Sequence, residues 1–276
     1  MGTIQTEQTH MNHKELRQRY NPDGSLLRRQ QLRMLDILVE VDRICKKHHI
    51  EYWLSSGTLI GALRHNGFIP WDDDLDIEMM RNDYLRLLEV LPKELPDWLA
   101  LQSDETDPAY FFFYAKVRDR RSQMLENNGY DRMWKEQGIY IDIFPMERHP
   151  IWLHKLTEKS FGHAYKIWRT STDDNRSLRQ VRRIFRFNNQ LVYPLLRLLC
   201  KLLPDKTITS GMGIPFHNPR FASEIFPLTT HTFEGRDFPV PANADALLRR
   251  LYGDYMQLPD PSKINLHVAQ LEFNVK

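Results

Sequence analysis

Four aspartates stand within five consecutive positions of this chain, in the stretch GFIPWDDDLDIE at residues 67–78. Four like charges this close repel one another unless water solvates them or a cation lies among them. One interpretation is a solvated turn after Pro70, in which an aspartate caps backbone N–H groups. The other is a magnesium site, and the features below favour it.

The composition of the 276 residues, 41% hydrophobic and 27% charged, is typical of a globular protein with one large domain or two small ones. A net charge of +2 gives no reason to expect a nucleic-acid partner. The two cysteines, Cys45 and Cys200, have no metal-site spacing, which argues against a disulfide framework or a zinc site. Residues 1–16 are polar and do not resemble a signal peptide, so we expect a cytoplasmic protein.

Hydrophobic periodicity predicts a mixture of helices and strands. Helical spacing predicts helices at 25–49, at 82–91 (ended by Pro92), over most of 152–203, and at 243–252. Alternating or β-prone runs predict strands at 50–54, 75–79, 110–118 and 139–144 (closed by Pro145), and a hairpin within 231–241. The predicted class is α+β: a mixed sheet flanked by helices.

Residues i and i+2 of a strand lie on one face, so Asp74 and Asp76 are expected to present their carboxylates in the same direction. Two hard oxygen ligands suit Mg²⁺, whose remaining positions water or substrate phosphate can fill. Asp142 lies in a second apolar strand, where an unpaired carboxylate would be costly. Upstream, the turn at Ser56, Gly57 and Thr58 leads into a predicted helix, whose first N–H groups can hold a phosphate.

The order of these elements, a Gly-Ser turn, then D-x-D, then a third carboxylate on another strand, matches the layout of nucleotidyltransferase-fold enzymes. The stretch YWLSSGTLIGALRHNGFIPWDDDLDIEMMRNDY closely resembles the core signature of LicD family proteins. FFYAKVRD, YIDIFPME and LYGDYMQLP resemble further parts of it. The resemblance covers roughly residues 30–145 and resumes around 218–267.

This resemblance implies a nucleotidyltransferase-like fold and metal-dependent transfer of a phospho-alcohol, such as phosphocholine, from a CDP-linked donor to a sugar hydroxyl. Related fukutin-type enzymes use CDP-ribitol. We expect Asp74 and Asp76 to hold Mg²⁺ or Mn²⁺ on the donor diphosphate. Asp142 would complete a second metal position or accept the acceptor's proton, and Asp72 is a further candidate ligand.

Several basic and aromatic residues are candidates for donor binding. Arg64, His65, Lys116 and Arg118 are expected at the phosphates, although surface salt bridges are the alternative for each of the three longer side chains. The aromatic candidates for stacking or cation–π contact are Tyr52, Trp53 and Trp71. The minor candidates for the site are Asp254, Tyr255, His267, His217 and Asn218.

A strongly basic segment divides the chain. Residues 151–206 carry a net charge of +8, which leaves −6 for the rest. We therefore predict a polar N-terminal tail (1–24), a catalytic core (25–150), a basic helical insert (151–206) and a C-terminal part of the catalytic domain (207–276). Residues 182–203 fit either an amphipathic helix packed on the domain or one lying on the inner face of the cytoplasmic membrane. The same charge could serve an anionic acceptor or a protein partner.

Three functions remain open from the sequence. The first is a transferase that uses a CDP-linked alcohol as donor and a glycan, or its lipid-linked oligosaccharide precursor, as acceptor. The second is a nucleotidyltransferase that releases pyrophosphate. The third is a degenerate module that binds a glycan or a protein partner without catalysis, although three retained carboxylates at Asp74, Asp76 and Asp142 argue against it.

Overall fold

The computed structural model of the protein describes residues 13–127, 129–203, 207–216, 218–259 and 268–273. The strands are β1 (Trp53–Leu54), β2 (Asp76–Met80), β3 (Leu99–Gln102), β4 (Ala115–Asp119), β5 (Ser122–Glu126), β6 (Tyr140–Arg148), β7 (Thr207–Ser210), β8 (Arg220–Phe221), β9 (Thr229–Phe233), β10 (Arg236–Val240) and β11 (Val268–Phe273). The α-helices are α1 (His13–Tyr20), α2 (Leu26–Lys47), α3 (Ser56–His65), α4 (Arg81–Glu94), α5 (Ile151–Thr170), α6 (Asp174–Phe187), α7 (Tyr193–Cys200), α8 (Ala222–Ile225) and α9 (Ala244–Tyr252).

A mixed seven-stranded sheet lies at the centre, in the order β1-β2-β6-β4-β3, with β7 paired to β6 and β8 to β7. Only β2 and β6 run parallel; the other neighbours in this sheet are antiparallel. Two small antiparallel sheets, β9-β10 and β5-β11, accompany it. The predicted α+β class and the hairpin within 231–241 are confirmed.

Helix α2 covers the sheet through a buried apolar face that includes Leu38 and Val41, in one core with Ile77 and Ile143 of the central strands. Ser25 caps the helix by accepting a hydrogen bond from the backbone N–H of Arg28, so the predicted start of this helix is correct. Among the described residues, no helix is both long and apolar enough to span a membrane.

The prediction that Pro145 ends its strand is wrong, because β6 continues to Arg148. On one side of β6, β4 pairs with residues up to Ile143, and β7 pairs from Met146 onward. Pro145 lies between the part of β6 that pairs with β4 and the part that pairs with β7. Its lack of a backbone N–H therefore removes no hydrogen bond from either of these two antiparallel pairings.

The predicted strand at 110–118 is also corrected, since only Ala115–Asp119 forms β4. The preceding aromatic run packs against helices instead of pairing. Phe111 lies in a buried cluster with Phe161 and Trp168 of α5 and with Phe185 of α6. The aromatic residues of this run therefore serve the contact with the helices and do not form a strand.

Pro92 does not end α4, which runs on to Glu94. The last turn is still closed by a hydrogen bond of 3.0 Å from Leu95 N to Leu91 O. Glu94 also accepts hydrogen bonds from Lys47 and lies 2.5 Å from His48 Nε2, which fixes the helix end against α2.

Gly61 marks the closest approach between α3 and the segment that leads into the acidic cluster. A Cβ atom at Gly61 would overlap the backbone carbonyl oxygen of Gly67 and lie 3.2 Å from Ile69 N. By contrast, a Cβ atom at Gly162, which is exposed in α5, meets no atom within 4 Å.

We predict that Gly61→Ala destabilises the protein by about 1–3 kcal/mol, because backbone atoms must move to admit the methyl group. Gly162→Ala, the matched control, should instead stabilise the protein by about 0.5–1 kcal/mol through helix propensity. Urea unfolding of both variants measures the difference. Equal effects of the two substitutions would contradict the packing described for α3.

Candidate active site

Charged side chains form a row across three neighbouring strands at one end of the sheet. In the parallel pairing of β2 with β6, Asp76 stands opposite Asp142. In the antiparallel pairing of β4 with β6, Lys116 stands opposite the other side of Asp142. Lys116 Nζ lies 2.8 Å from Asp142 Oδ1 and 3.8 Å from Glu126 Oε1. Strand register therefore brings together residues far apart in sequence.

The carboxylates of the row repel one another in a partly desolvated place. Burial raises the pKa of Asp76 well above its ordinary value, and repulsion from Asp74 and Asp142 raises it further. Burial likewise raises the pKa of Asp142 to about 6, against the opposing attraction of Lys116. Asp142 Oδ1 is buried and receives no well-directed hydrogen bond, although Lys116 is close. The row thus holds more negative charge than its own cation neutralises.

The predicted Ser-Ser-Gly-Thr turn holds Asp76 in place through its backbone. Ser55 N donates to the carbonyl oxygen of Asp76 (3.1 Å), and Asp76 N donates to Thr58 Oγ1 (2.9 Å). Ser56, the first residue of α3, has a φ of 49°, a left-handed conformation that serine seldom adopts. Such local strain is frequent at functional sites. Ser56 lines the cleft, whereas Thr58 acts through Asp76.

Two of the four aspartates do not face the cleft. A Cβ atom at Gly57 would lie 2.6 Å from Asp72 Oδ2, so glycine here lets the Asp72 carboxylate approach the N-terminus of α3. Asp73 is buried, and its Oδ2 accepts a hydrogen bond from Val268 N of β11.

The backbone of the same segment is held by α2. Gln30 Nε2 donates to the carbonyl oxygen of Asp73 at 2.7 Å, and Gln31 Nε2 donates to that of Asp72 at 2.9 Å. Both glutamine side chains are buried. The acidic segment is therefore fixed from outside, independently of any bound ion.

The row opens into a cleft of about 380 Å³. Its lining residues are Ser56, Asp74, Asp76, Glu78, Tyr114, Lys116, Glu126, Tyr140, Asp142, Phe144, Ser210, Phe216, Asn218, Arg220 and Tyr252. The structure thus brings together six residues that were candidates from the sequence: Asp74, Asp76, Asp142, Lys116, Ser56 and the minor candidate Asn218.

Sequence reasoning missed a buried ion pair at one side of the cleft. Glu78 accepts hydrogen bonds from Trp53 Nε1 (3.0 Å), from Ser55 Oγ (2.7 Å) and from Arg220. Alternation along β2 could have indicated Glu78, since it follows Asp76 by two residues. No local signal indicates Arg220, which β7 and β8 bring from the other end of the chain.

Aromatic side chains line another side of the cleft. The rings of Tyr114 and Phe144 are 4.6 Å apart, and those of Phe144 and Phe216 are 5.9 Å apart. Lys116 Nζ lies 3.3 Å from the ring centre of Tyr140. Cations and aromatic faces thus already meet in this cleft.

The matches to known proteins agree with this architecture. Residues 49–199 match the family described as LicD/FKTN/FKRP, nucleotidyltransferase domain. The lipopolysaccharide cholinephosphotransferase LicD of Haemophilus influenzae is 30% identical over 265 residues, covering 88% of this chain and 96% of that protein. This chain belongs to the LicD family. Human ribitol 5-phosphate transferase FKRP is 47% identical over a short stretch of 34 residues, 12% of this chain and 7% of that protein.

As a member of the LicD family, the chain has the nucleotidyltransferase domain that the resemblance implied. The matched residues run through 199, so they include most of the basic segment at 151–206.

Three basic residues predicted at the donor phosphates lie outside the cleft lining. Arg64 donates to the carbonyl oxygens of Tyr255 and Gln257, and to the imidazole of His65. Arg118 is fully buried behind Glu126, which it contacts at 3.0 Å. Each of these arginines links parts of the domain, so their contacts are structural.

The aromatic candidates also have other contacts. Tyr52 donates to Asp42 Oδ1, and the Trp53 indole donates to Glu78. Trp71 packs edge-on against Tyr20. The minor candidates Asp254 and Tyr255 contact Gln257 and Asp245, away from the cleft lining. His217 and His267 lie outside the described residues.

The oxygen-rich cleft fits a hard divalent cation better than a soft one. Asp74 and Asp76 supply carboxylate oxygens, which Mg²⁺ and Mn²⁺ prefer. Within the part of the chain that the structure describes, no three acidic, histidine or cysteine side chains form a complete metal site. A cation here would therefore take its other ligands from water or substrate, the usual mode for Mg²⁺.

We predict that Asp76→Asn stabilises the metal-free protein. A raised folded-state pKa means that ionised Asp76 disfavours the fold, a penalty that appears as the pH rises above the ordinary aspartate value. Removing the charge should raise the midpoint of thermal unfolding at pH 8 in EDTA by ~2–4 °C, or about 1 kcal/mol.

Asp42→Asn is the matched control, because Asp42 is a buried aspartate whose two oxygens bind Tyr52 and Lys46. This variant should lower the unfolding midpoint. A fall of the midpoint in both variants would show that Asp76 is a structural carboxylate like Asp42.

Proposed function

We propose that the protein transfers a phospho-alcohol, of the phosphocholine kind, from a CDP-linked donor to a hydroxyl of a cell-surface glycan or its lipid-linked precursor. CMP is the second product. The observation that carries the proposal is the row of Asp76, Asp142 and Lys116 in an open cleft. It occurs in a chain similar over nearly its whole length to a lipopolysaccharide cholinephosphotransferase.

The proposed step is an in-line displacement at phosphorus. The acceptor oxygen forms a bond to the phosphorus that bears the alcohol, and the bond from that phosphorus to the CMP oxygen breaks. CMP leaves with the electron pair, and the acceptor proton passes to Asp142. Enzymes of this kind act mainly by positioning and charge neutralisation.

The residues of the cleft divide these tasks by position. Asp74 and Asp76 would hold Mg²⁺ or Mn²⁺, which when bound neutralises charge on the diphosphate. Lys116 lies on the far side of Asp142 and is held there by that carboxylate and by the Tyr140 ring. Arg220 reaches the cleft with its guanidinium fixed by Glu78. Lys116, which was predicted at the phosphates, would face them together with Arg220, whereas the predicted Arg64 and Arg118 would not.

The aromatic side of the cleft supports a cationic alcohol over an uncharged polyol. Tyr114, Phe144 and Phe216 are adjacent to one another, and Glu126 lies in the same lining. A quaternary ammonium group gains from both aromatic faces and nearby carboxylates. A polyol such as ribitol gains little from the aromatic faces.

We predict that Asp76→Asn and Asp142→Asn each lower kcat/KM for phosphocholine transfer from CDP-choline by at least about 100-fold. Asp237→Asn, at an exposed aspartate of the β9-β10 hairpin, should leave it unchanged. Chromatography of the nucleotide product measures the reaction and separates the alternatives. CMP supports the transferase, and pyrophosphate would identify a nucleotidyltransferase. No turnover with any CDP-alcohol by the folded protein would favour the binding module.

We predict that Phe144→Leu raises KM for CDP-choline by about 2–30-fold, the range expected for losing one cation–π contact of about 0.5–2 kcal/mol. KM for CDP-glycerol, measured with the same variant, serves as the control and should change less than twofold. Parallel increases for both donors would contradict the assignment of this ring to the alcohol.

A further inference from the structure

The chain from the end of α6 to Leu202, two residues beyond α7, exposes an apolar stripe to solvent. Five exposed apolar residues recur at spacings of four, four, three and four, so they follow one side of the segment. They are Phe187, Leu191, Leu195, Leu198 and Leu202. All five are at least half exposed, and Leu202 is 81% exposed. Leu199 and Leu203 are exposed here as well. Large exposed apolar patches are uncommon on soluble monomers and mark interaction sites.

Contacts on the opposite side of α7 keep this stripe turned outward. Tyr193 is fully buried, and its hydroxyl donates to the carbonyl oxygen of Thr157. Arg197 forms a two-pronged ion pair with buried Glu147 of β6, at 2.6 and 2.9 Å. Burying the leucines against the domain would require breaking both contacts. Helix α7 therefore packs on the domain through the side that carries Tyr193, Leu196 and Arg197, and not through the exposed stripe.

The neighbouring helix α5 extends the exposed apolar surface. Leu153 is buried in one cluster with Tyr193 and with Leu196 of α7. Trp152 and Leu156 flank that contact on α5 and are 61% and 56% exposed. We refer to the stripe together with Trp152 and Leu156 as the α5–α7 surface.

The charges around this surface have one sign. Residues 175–203 contain seven arginines and lysines and no aspartate or glutamate. Arg179, Arg183 and Arg186 are exposed on α6, ahead of the apolar stripe, and Lys201 is exposed near its end. Tryptophan, phenylalanine and leucine bordered by basic residues is the composition of helices that lie in a membrane interface.

We propose that the α5–α7 surface docks on an anionic phospholipid bilayer without crossing it. Its apolar side chains would enter the boundary between headgroups and acyl chains, while its arginines contact lipid phosphates. Charge decides between a bilayer and a second copy of this chain, because self-association would bring two arginine-rich segments together, whereas an anionic bilayer is complementary. The inference does not depend on the transferase activity.

Vesicle flotation of the 276-residue chain tests the proposal. The protein should float with vesicles of phosphatidylcholine containing about 30% phosphatidylglycerol, but not with pure phosphatidylcholine. Binding should weaken as salt is raised. Trp152 fluorescence should shift to shorter wavelength on binding, and Trp152→Phe should remove most of that shift.

The variant Leu198→Glu/Leu202→Glu should lower the bound fraction at least tenfold, as should Arg183→Glu/Arg186→Glu. Leu26→Glu is the matched control, since Leu26 is 51% exposed at the start of α2, and it should bind as the unaltered protein does. Circular dichroism checks that each variant is folded.

Two outcomes would overturn the proposal. One is the absence of flotation of the unaltered protein with anionic vesicles, or equal flotation of all variants. The other is an unaltered protein that is dimeric by light scattering and becomes monomeric in Leu198→Glu/Leu202→Glu without change in flotation. That result would assign the surface to a second copy of the chain.

Discussion

The parallel pairing of β2 with β6 is the constraint on which the candidate site depends. It sets Asp76 directly opposite Asp142, and the residues that follow them on the two strands, Ile77 and Ile143, lie in the main apolar core. Two neighbouring carboxylates in such a place oppose folding, and Lys116 on the next strand neutralises only part of their charge. The buried apolar core that includes Ile77 and Ile143 supplies the stability that tolerates this repulsion. A site that disfavours its own folded state in this way is typical of functional positions.

The four clustered aspartates have separate tasks, which explains why the chain keeps them adjacent. Asp72 approaches the N-terminus of α3, and Asp73 receives the backbone of β11. Gln30 and Gln31 of α2 hold the backbone between them. Asp74 and Asp76 are the two members of the cluster that line the cleft. Asp72 and Asp73 thus help to position Asp74 and Asp76.

Local pattern predicted much of this site, and its failures share one cause. The predicted alternation indicated that Asp74 and Asp76 face one way, and both line the cleft although β2 begins only at Asp76. The apolar surroundings of Asp142 indicated its strand. The sequence could not show that α5 and α6 would take the aromatic run around Phe111, or that β7 would pair where Pro145 interrupts β4. Likewise Arg64, placed near the metal by sequence proximity, instead binds a distant loop, and Arg220 arrives from 142 residues beyond Glu78. In each of these cases, contacts with residues distant in the sequence determine the structure, and local pattern does not show them.

Titration calorimetry of CDP-choline with and without Mg²⁺ tests the central claim most directly, because it separates binding from turnover. If the carboxylate row holds the cation that bridges to the donor diphosphate, CDP-choline binds the unaltered protein only when Mg²⁺ is present, and Asp76→Ala abolishes that dependence together with the binding. Equal affinity with and without Mg²⁺, unchanged by Asp76→Ala, would contradict the account. The donor would then be held without the row, and the four aspartates would require another explanation.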